Sequence, residues 1–430
     1  MKPATSIQGV DVCVGKAGVL AGHLSYAKQG QREFSTFAYD TQWLTSPSRF
    51  EVSPDLPLMA GFQARRAPSK ADSIFHLALA DTAPDAWGRR VIARAHAKER
   101  KNNPNLAALT ELDYLTAVDD FSRVGALRLR DAQGIFLRTF EDGKRTTPPL
   151  VELEHIYSAS RAVETSQETA QDLAYLQGKG TSLGGMRPKC TLLDEHGRLA
   201  IGKFPSVTDA RSVTRGEVLA LCLARAAGIQ AASARILDIN GTAVALIERF
   251  DRTPDLARIH YLSAASMLQA SREDDRSYTE IADIIRSRCV NPTADVRELW
   301  RRMLFNLLIT NVDDHLQNHG FLYEGHGQWR LAPAFDINPF PDKDRESKTW
   351  LSPQTGPIDS LQMLLDHADY FSLGAPGAAL AVLTEVMTAL SNWKAVAMSP
   401  AVGLTRKELD DFAPAFEHEA AQAAHDALAG

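Results

Sequence analysis

The sequence predicts an α+β fold in three parts: a β-rich N-terminal subdomain over residues 1–149, a small sheet with one helix over 150–252, and a mainly helical part over 253–430. Three observations predict it. Residues 10–40 alternate apolar and polar side chains around Gly15, Gly18 and Gly22, which is the period-2 signature of short strands. Residues 178–250 run in the order glycine-rich loop, strand, turn, strand, helix, strand, hairpin, strand. Beyond Arg252 the apolar residues recur at helical spacing.

Taken in order, the N-terminal strands continue through Phe34, Phe37 and Tyr39, and Pro54, Pro57 and Pro68 mark loops. Asp81 to Arg90 reads as a turn entering a basic helix. Residues 107–118 have helical spacing and Val124 to Leu129 reads as a strand; the polar, proline-bearing stretch from Glu141 to Pro149 marks a domain boundary. Four strands follow, Cys190 to Leu193, Leu199 to Lys203, Ala234 to Ile239 and Ala243 to Glu248, with Asn240-Gly241 as a type I′ hairpin signal. Between them Glu217 to Ala227 is helical and Gly228 stops it.

In the helical part, Thr293 is the expected N-cap of a helix whose Val296, Leu299, Trp300, Met303, Leu304, Leu307 and Leu308 form one apolar stripe. That stripe is core, and it delivers the segment Asn311 to Asn318 at the end of a buried helix. Strands at Phe321 to Tyr323 and Trp329 to Leu331 then form a hairpin leading to Ala334-Phe335-Asp336-Ile337. Helices are expected near 376–395 and 405–427.

Composition narrows the function. At 430 residues, with 44% hydrophobic and 23% charged side chains, the chain is globular and holds more than one domain. A net charge of −6 announces no nucleic-acid partner. Cys13, Cys190, Cys222 and Cys289 form no CxxC pair, which argues against a zinc site or disulfide framework. The thiols are expected to be buried small hydrophobes in a reducing compartment. With neither a signal-peptide pattern nor a membrane-length apolar run in view, a cytoplasmic location and no membrane partner are the expectation.

The residues with chemistry are ordered. Phosphoryl transfer needs a carboxylate at the acceptor hydroxyl, an amide oxygen for magnesium a few residues on, and a second carboxylate for the same metal. Asp313, Asn318 and Asp336 supply these groups in that order. Alone, an Asp-Asp-His run is better explained as a turn, because such side chains bond nearby backbone. Upstream, Gly178 to Lys189 is glycine-rich, and its N–H groups suit phosphate oxygens, although it is not a Walker A motif. Lys203 ends an apolar strand, where a lysine is rare unless it has a partner, and Glu217 is one candidate. Glu248 and Phe250 lie at a strand-to-helix crossover suited to an adenine ring. Glycine-rich loop, strand lysine, crossover, Asp-x4-Asn and Asp together predict a kinase-like phosphotransferase using ATP and Mg2+.

Five segments carry a resemblance to the HipA family, the serine/threonine kinase toxins of bacterial toxin–antitoxin pairs. They are Pro84 to Arg90, Ser122 to Leu127, Ser182 to Lys189, Glu248 to Arg252, and Asn311 to His315 with Asn318. The resemblance spans nearly the whole chain. It implies a two-lobed kinase-like fold with the N-terminal subdomain fused ahead of a nucleotide lobe. By the same resemblance Asp313 is the base, Asn318 and Asp336 hold magnesium, and Lys203 meets phosphates. Gly184, Gly185, Met186, Arg187, Pro188 and Lys189 form the phosphate loop. Glu248, Arg249 and Phe250 line the adenine crossover, and His315 and Gln317 lie beside the nucleotide. Ser182 matches the position at which the family's best-known toxin phosphorylates itself and switches off. Asp314 stands where that toxin has glycine, and Met186-Arg187-Pro188 where it has Ala-Gln-Glu.

The resemblance further implies a protein substrate, with glutamyl-tRNA synthetase as a known family target, and a small helix-turn-helix antitoxin that binds operator DNA as a dimer. Two other readings stand beside the kinase. One is a repressor-complex partner with weak kinase activity; the other is a small-molecule phosphotransferase, since fold alone does not fix the acceptor.

Overall fold

The computed structural model describes residues 6–138, 152–178, 187–343 and 346–429. Ser182, Gly184, Gly185 and Met186 lie outside the described residues. The chain forms two compact units, one of Met1–Val207, Asp251–Leu262 and Ser271–Glu273, the other of Thr208–Phe250, Ser263–Ala270 and Asp274–Gly430.

The first unit is built on an antiparallel sheet of strands β1 (Ser6–Val14), β2 (Val19–Gln29), β3 (Arg32–Tyr39), β4 (Gln63–Arg65) and β5 (Leu127–Arg130), in the order β4-β3-β2-β1-β5. The alternation in the sequence has its physical basis here. Val12, Leu24, Tyr26, Phe37 and Tyr39 are buried, while Ile7, His23 and Phe34 are exposed. Gly22 is fixed by close approach, since a Cβ there would lie 2.4 Å from the Ala38 carbonyl oxygen. Helix α1 (Ala86–Asn102) starts where Asp85 accepts a bond from the Gly88 N–H at 2.6 Å. Helices α2 (Glu111–Ala117), α3 (Leu153–Glu164) and α4 (Ala170–Gly178) follow, then the hairpin of β6 (Lys189–Leu193) and β7 (Leu199–Lys203).

Two of the motifs that carry the resemblance are bonded to each other in this unit. The Gly125 N–H donates to Asp251 Oδ2 at 2.7 Å, and Arg252 Nη2 donates to the Arg123 carbonyl at 2.7 Å. Gly125 has φ +69°, and a Cβ on it would stand 3.0 Å from the Tyr261 nitrogen, so both its conformation and its neighbour favour glycine.

The second unit begins with α5 (Val213–Ala226) and the hairpin of β8 (Ala234–Ile239) and β9 (Thr242–Glu248). Asn240 and Gly241 have φ of 51° and 81°, the left-handed pair that a type I′ turn requires. Helix α6 (Tyr278–Arg288) opens with a capping box from Ser277 and Glu280. Helix α7 (Pro292–Leu308) carries the expected stripe, with all seven of its residues buried. It starts earlier than the sequence reading placed it. Pro292 takes the first helical position with Asn291 as cap, because proline has no N–H to lose there. The hairpin of β10 (Gly320–Gly325) and β11 (Gln328–Leu331) follows. The two long C-terminal helices are each broken: Ala378–Ser391 and Trp393–Ala397 meet at Asn392, and Arg406–Phe416 ends before Glu419–Ala429.

All four cysteines are free thiols. Among the described residues no helix is long and apolar enough to cross a membrane.

Candidate active site

In the second unit, α7 ends at Leu308 and the chain turns at Thr310, whose φ is 54° and whose hydroxyl donates to the Ala415 carbonyl at 3.1 Å. Asn311 is buried. Its Nδ2 donates to Asn306 Oδ1 at 3.0 Å, and its Oδ1 accepts the Asn338 N–H at 3.3 Å. One side chain therefore fastens the loop after α7 to the segment that carries Asp336. Asn338 Nδ2 in turn lies 3.4 Å from Asp336 Oδ1, and Asp336 has φ 53°, an uncommon conformation for a residue with a side chain. Asn311, Asp314, Asn318, His319 and Asp336 line a single cavity together with Arg302 and Phe335.

The five-residue step from Asp313 to Asn318 closes a loop. Asn318 Nδ2 donates to the Asp313 carbonyl at 2.7 Å, which leaves its Oδ1 as the amide's free acceptor. Asp313 is half-exposed, and its carboxylate meets the Lys348 ammonium. His315 Nε2 lies 4.0 Å from the same carboxylate oxygen, and Gln317 is exposed.

Asp314 points inward and is 2% exposed. Its Oδ2 accepts the Tyr278 hydroxyl and its Oδ1 accepts the Lys348 N–H, both at 2.6 Å; its carbonyl accepts the Thr349 hydroxyl at 2.6 Å. Burial pushes its carboxyl up to about 6, against the pull of these donors on the ionised form. His319, buried beside it with Nε2 3.3 Å from the Asp314 carbonyl, is held down to about 3 by desolvation.

Asn318 and Asp336 both line that cavity, and their side-chain oxygens are hard donors of the kind that would hold a magnesium ion. Among the described residues no group of three or more His, Cys, Asp or Glu side chains is placed to hold a metal.

Phe250, just past β9, packs against Phe335 with ring centroids 5.4 Å apart. The residue at the proposed adenine crossover thus touches the neighbour of Asp336. Arg249 is buried and Glu248 half-buried, with the Glu248 N–H donating to the Ser233 carbonyl at 2.8 Å.

In the first unit Lys203 ends β7 and pairs in register with Lys189 on β6. Lys189 is buried on Asp85, its Nζ 3.1 Å from Oδ2, while Lys203 is half-buried. Pro188 and Arg187 precede them, Pro188 accepting the Phe204 N–H at 2.9 Å. Glu217 is buried on α5, in the second unit.

Sequence reasoning missed Asp314 and Lys348. Asp314 was an unassigned neighbour, and nothing in the sequence linked it to Tyr278. Lys348 follows Asp313 by 35 residues and belongs to no motif.

Comparison with known proteins adds to this geometry. The chain is 27% identical to a protein of Sinorhizobium fredii (strain NBRC 101917 / NGR234) named "Putative kinase Y4mE", over 38% of this chain and 44% of that protein. It is 32% identical to a protein of Haemophilus influenzae (strain ATCC 51907 / DSM 11121 / KW20 / Rd) named "Putative kinase", over 23% of this chain and 32% of that protein. The chain therefore spans less than half the length of these relatives. A solved structure of HipA from Shewanella oneidensis MR-1, in complex with HipB and its operator DNA, superposes with a TM-score of 0.61 at 16% identity, covering 98% of this chain and 96% of that one. That likeness shows the fold, α+β and kinase-like with a β-rich N-terminal subdomain, as the sequence predicts. The HipA N-terminal domain model matches residues 11–115, and the HipA-like C-terminal domain model matches residues 181–410, more than half of the chain. With the loop geometry, the fold and both domain models in agreement, the chain belongs to the HipA family.

Proposed function

We propose that the chain is an ATP- and magnesium-dependent serine/threonine protein kinase, the toxin of a toxin–antitoxin pair. The observation that carries the reading is the cavity shared by Asn318 and Asp336, with Asn318 bonded back to Asp313. In this reading Asp313 orients a substrate hydroxyl and takes its proton as the oxygen attacks the γ-phosphorus. Lys203 meets the phosphates, assisted by the loop of residues 184–189, and Phe250 with its neighbours Glu248 and Arg249 receives the adenine. His315 and Gln317 stand beside the nucleotide. Magnesium on Asn318 and Asp336 would neutralise charge on the transferring phosphoryl group.

The substrate in this proposal is a translation component such as an aminoacyl-tRNA synthetase, glutamyl-tRNA synthetase being the model, and its modification arrests growth. Phosphorylation at Ser182, an antitoxin, or both would silence the kinase. The complex of the Shewanella HipA with HipB and operator DNA supports an antitoxin and operator DNA as partners, and in this proposal the antitoxin is a small helix-turn-helix protein through which the chain meets the DNA.

The test is transfer. The purified chain, given γ-labelled ATP, magnesium and a cell lysate, is expected to label serine or threonine in a small set of proteins, and chelation of magnesium should abolish the label. Label on small molecules alone would point instead to a small-molecule phosphotransferase. No label, with operator DNA retained in the presence of the antitoxin, would favour the repressor partner.

A further inference from the structure

We propose that Lys348 is a further residue of the phosphotransfer site, holding the Asp313 carboxylate in place and presenting its ammonium to the phosphoryl group during transfer. The proposal rests on the kinase reading above. Between Asp313 and Asn318 the chain reads Asp-His-Leu-Gln, with neither lysine nor arginine. The loop therefore brings no permanent cation of its own to the base.

Lys348 supplies one, and the backbone around it is fixed to do so. Its N–H donates to Asp314 Oδ1 at 2.6 Å, the next residue's hydroxyl donates to the Asp314 carbonyl at 2.6 Å, and the Trp350 N–H donates to the Arg276 carbonyl at 2.9 Å. Asp314 thus clamps the Lys348 segment to the loop that carries Asp313. The side chain leaves this clamp and reaches the Asp313 carboxylate, with the two groups 54% and 39% exposed. A pair so exposed adds little to stability, and the backbone bonds already hold the segment. What the ammonium adds is charge beside the atom that receives the proton.

In the transfer step the hydroxyl oxygen bonds to the γ-phosphorus, and the bond from that phosphorus to the β–γ bridging oxygen breaks, its electron pair leaving with ADP. The proton goes to Asp313. Lys348 remains an ammonium throughout, offsetting negative charge on the oxygens in flight.

Lys348→Met and Lys348→Arg test this, with kcat, KM for ATP and the melting temperature measured on the full chain. The expected result for K348M is a kcat lower by roughly 10- to 100-fold with KM for ATP within about threefold. Its melting temperature should be unchanged, and K348R should recover part of the rate. A K348M kcat within about twofold of the parent overturns the proposal. So does a loss shared equally by K348R and accompanied by a lower melting temperature, which would make the side chain structural. Asp313→Asn is the control. Inactive D313N beside fully active K348M removes this inference alone, whereas fully active D313N removes the kinase reading beneath it.

Discussion

Asp85 and Lys189 form a buried ion pair, 3.1 Å apart with side chains 5% and 2% exposed. The same Asp85 caps α1 through the Gly88 N–H, so one carboxylate starts a helix and neutralises a strand lysine. Burial pushes that carboxyl up, and Lys189 and the Gly88 N–H pull it down. Removing one partner leaves the other charged and buried, at a cost of about 3–5 kcal/mol. Asp85→Ala is therefore expected to destabilise the first unit by that amount in urea unfolding. The double variant with Lys189→Met should recover most of the loss, which a double-mutant cycle reads directly. Equal instability of the single and double variants would contradict the pairing.

Asp314 gives a second prediction. Asp314→Ala strips the acceptor from the Tyr278 hydroxyl and the Lys348 N–H, and an unsatisfied buried donor costs about 1–3 kcal/mol. Tyr278→Phe removes one donor and leaves the carboxylate, and should cost about 1 kcal/mol. Thermal unfolding orders the two variants. A larger effect for Y278F than for D314A would be inconsistent with the network described.

The third prediction concerns acid. His260 is buried, donates from Nε2 to the Val52 carbonyl at 2.8 Å, and is held down to about 4 by desolvation. Between pH 6.5 and 4 the unfolded chain binds a proton at this position that the folded chain refuses, so stability is full above 6.5 and falls as pH drops. His319, held down to about 3, adds to the fall. Asp314, raised to about 6, opposes it, because the folded chain protonates that carboxyl first. His260→Gln keeps a donor for Val52 and removes the titration. It should lessen the loss between pH 7 and 4 by about 3 kcal/mol. Parallel pH profiles for parent and H260Q would show that His260 does not bury as a neutral ring.

Much of this was legible in the sequence. Strands β7 and β8 begin and end where the sequence reading puts them, and the stripe on α7 is the buried face of that helix. These are local signals, set by side chains within one turn or one hairpin. The order of Asp313, Asn318 and Asp336 was also readable, because short loops join them. The tie that brings Asp336 back, from Asn311 to the Asn338 N–H, spans 27 residues and has no periodicity to betray it. Asp314 and Lys348 were missed for the same reason. Lys189 shows the converse: its place in a glycine-rich motif suggested phosphate contact, and only the fold reveals Asp85 upon it. Two neighbouring acidic residues, Asp313 and Asp314, look alike in sequence. One faces out to Lys348's ammonium and the other inward to Tyr278, and only the three-dimensional placement of those partners tells them apart.

In the proposed kinase, Asp313 serves as the base of the phosphotransfer site. Asp313→Asn preserves the side chain's size and the backbone carbonyl that Asn318 grips. With γ-labelled ATP, magnesium and lysate, D313N is expected to lose transfer by roughly 100-fold or more, while binding ATP as the parent does. Undiminished transfer by D313N would contradict the account.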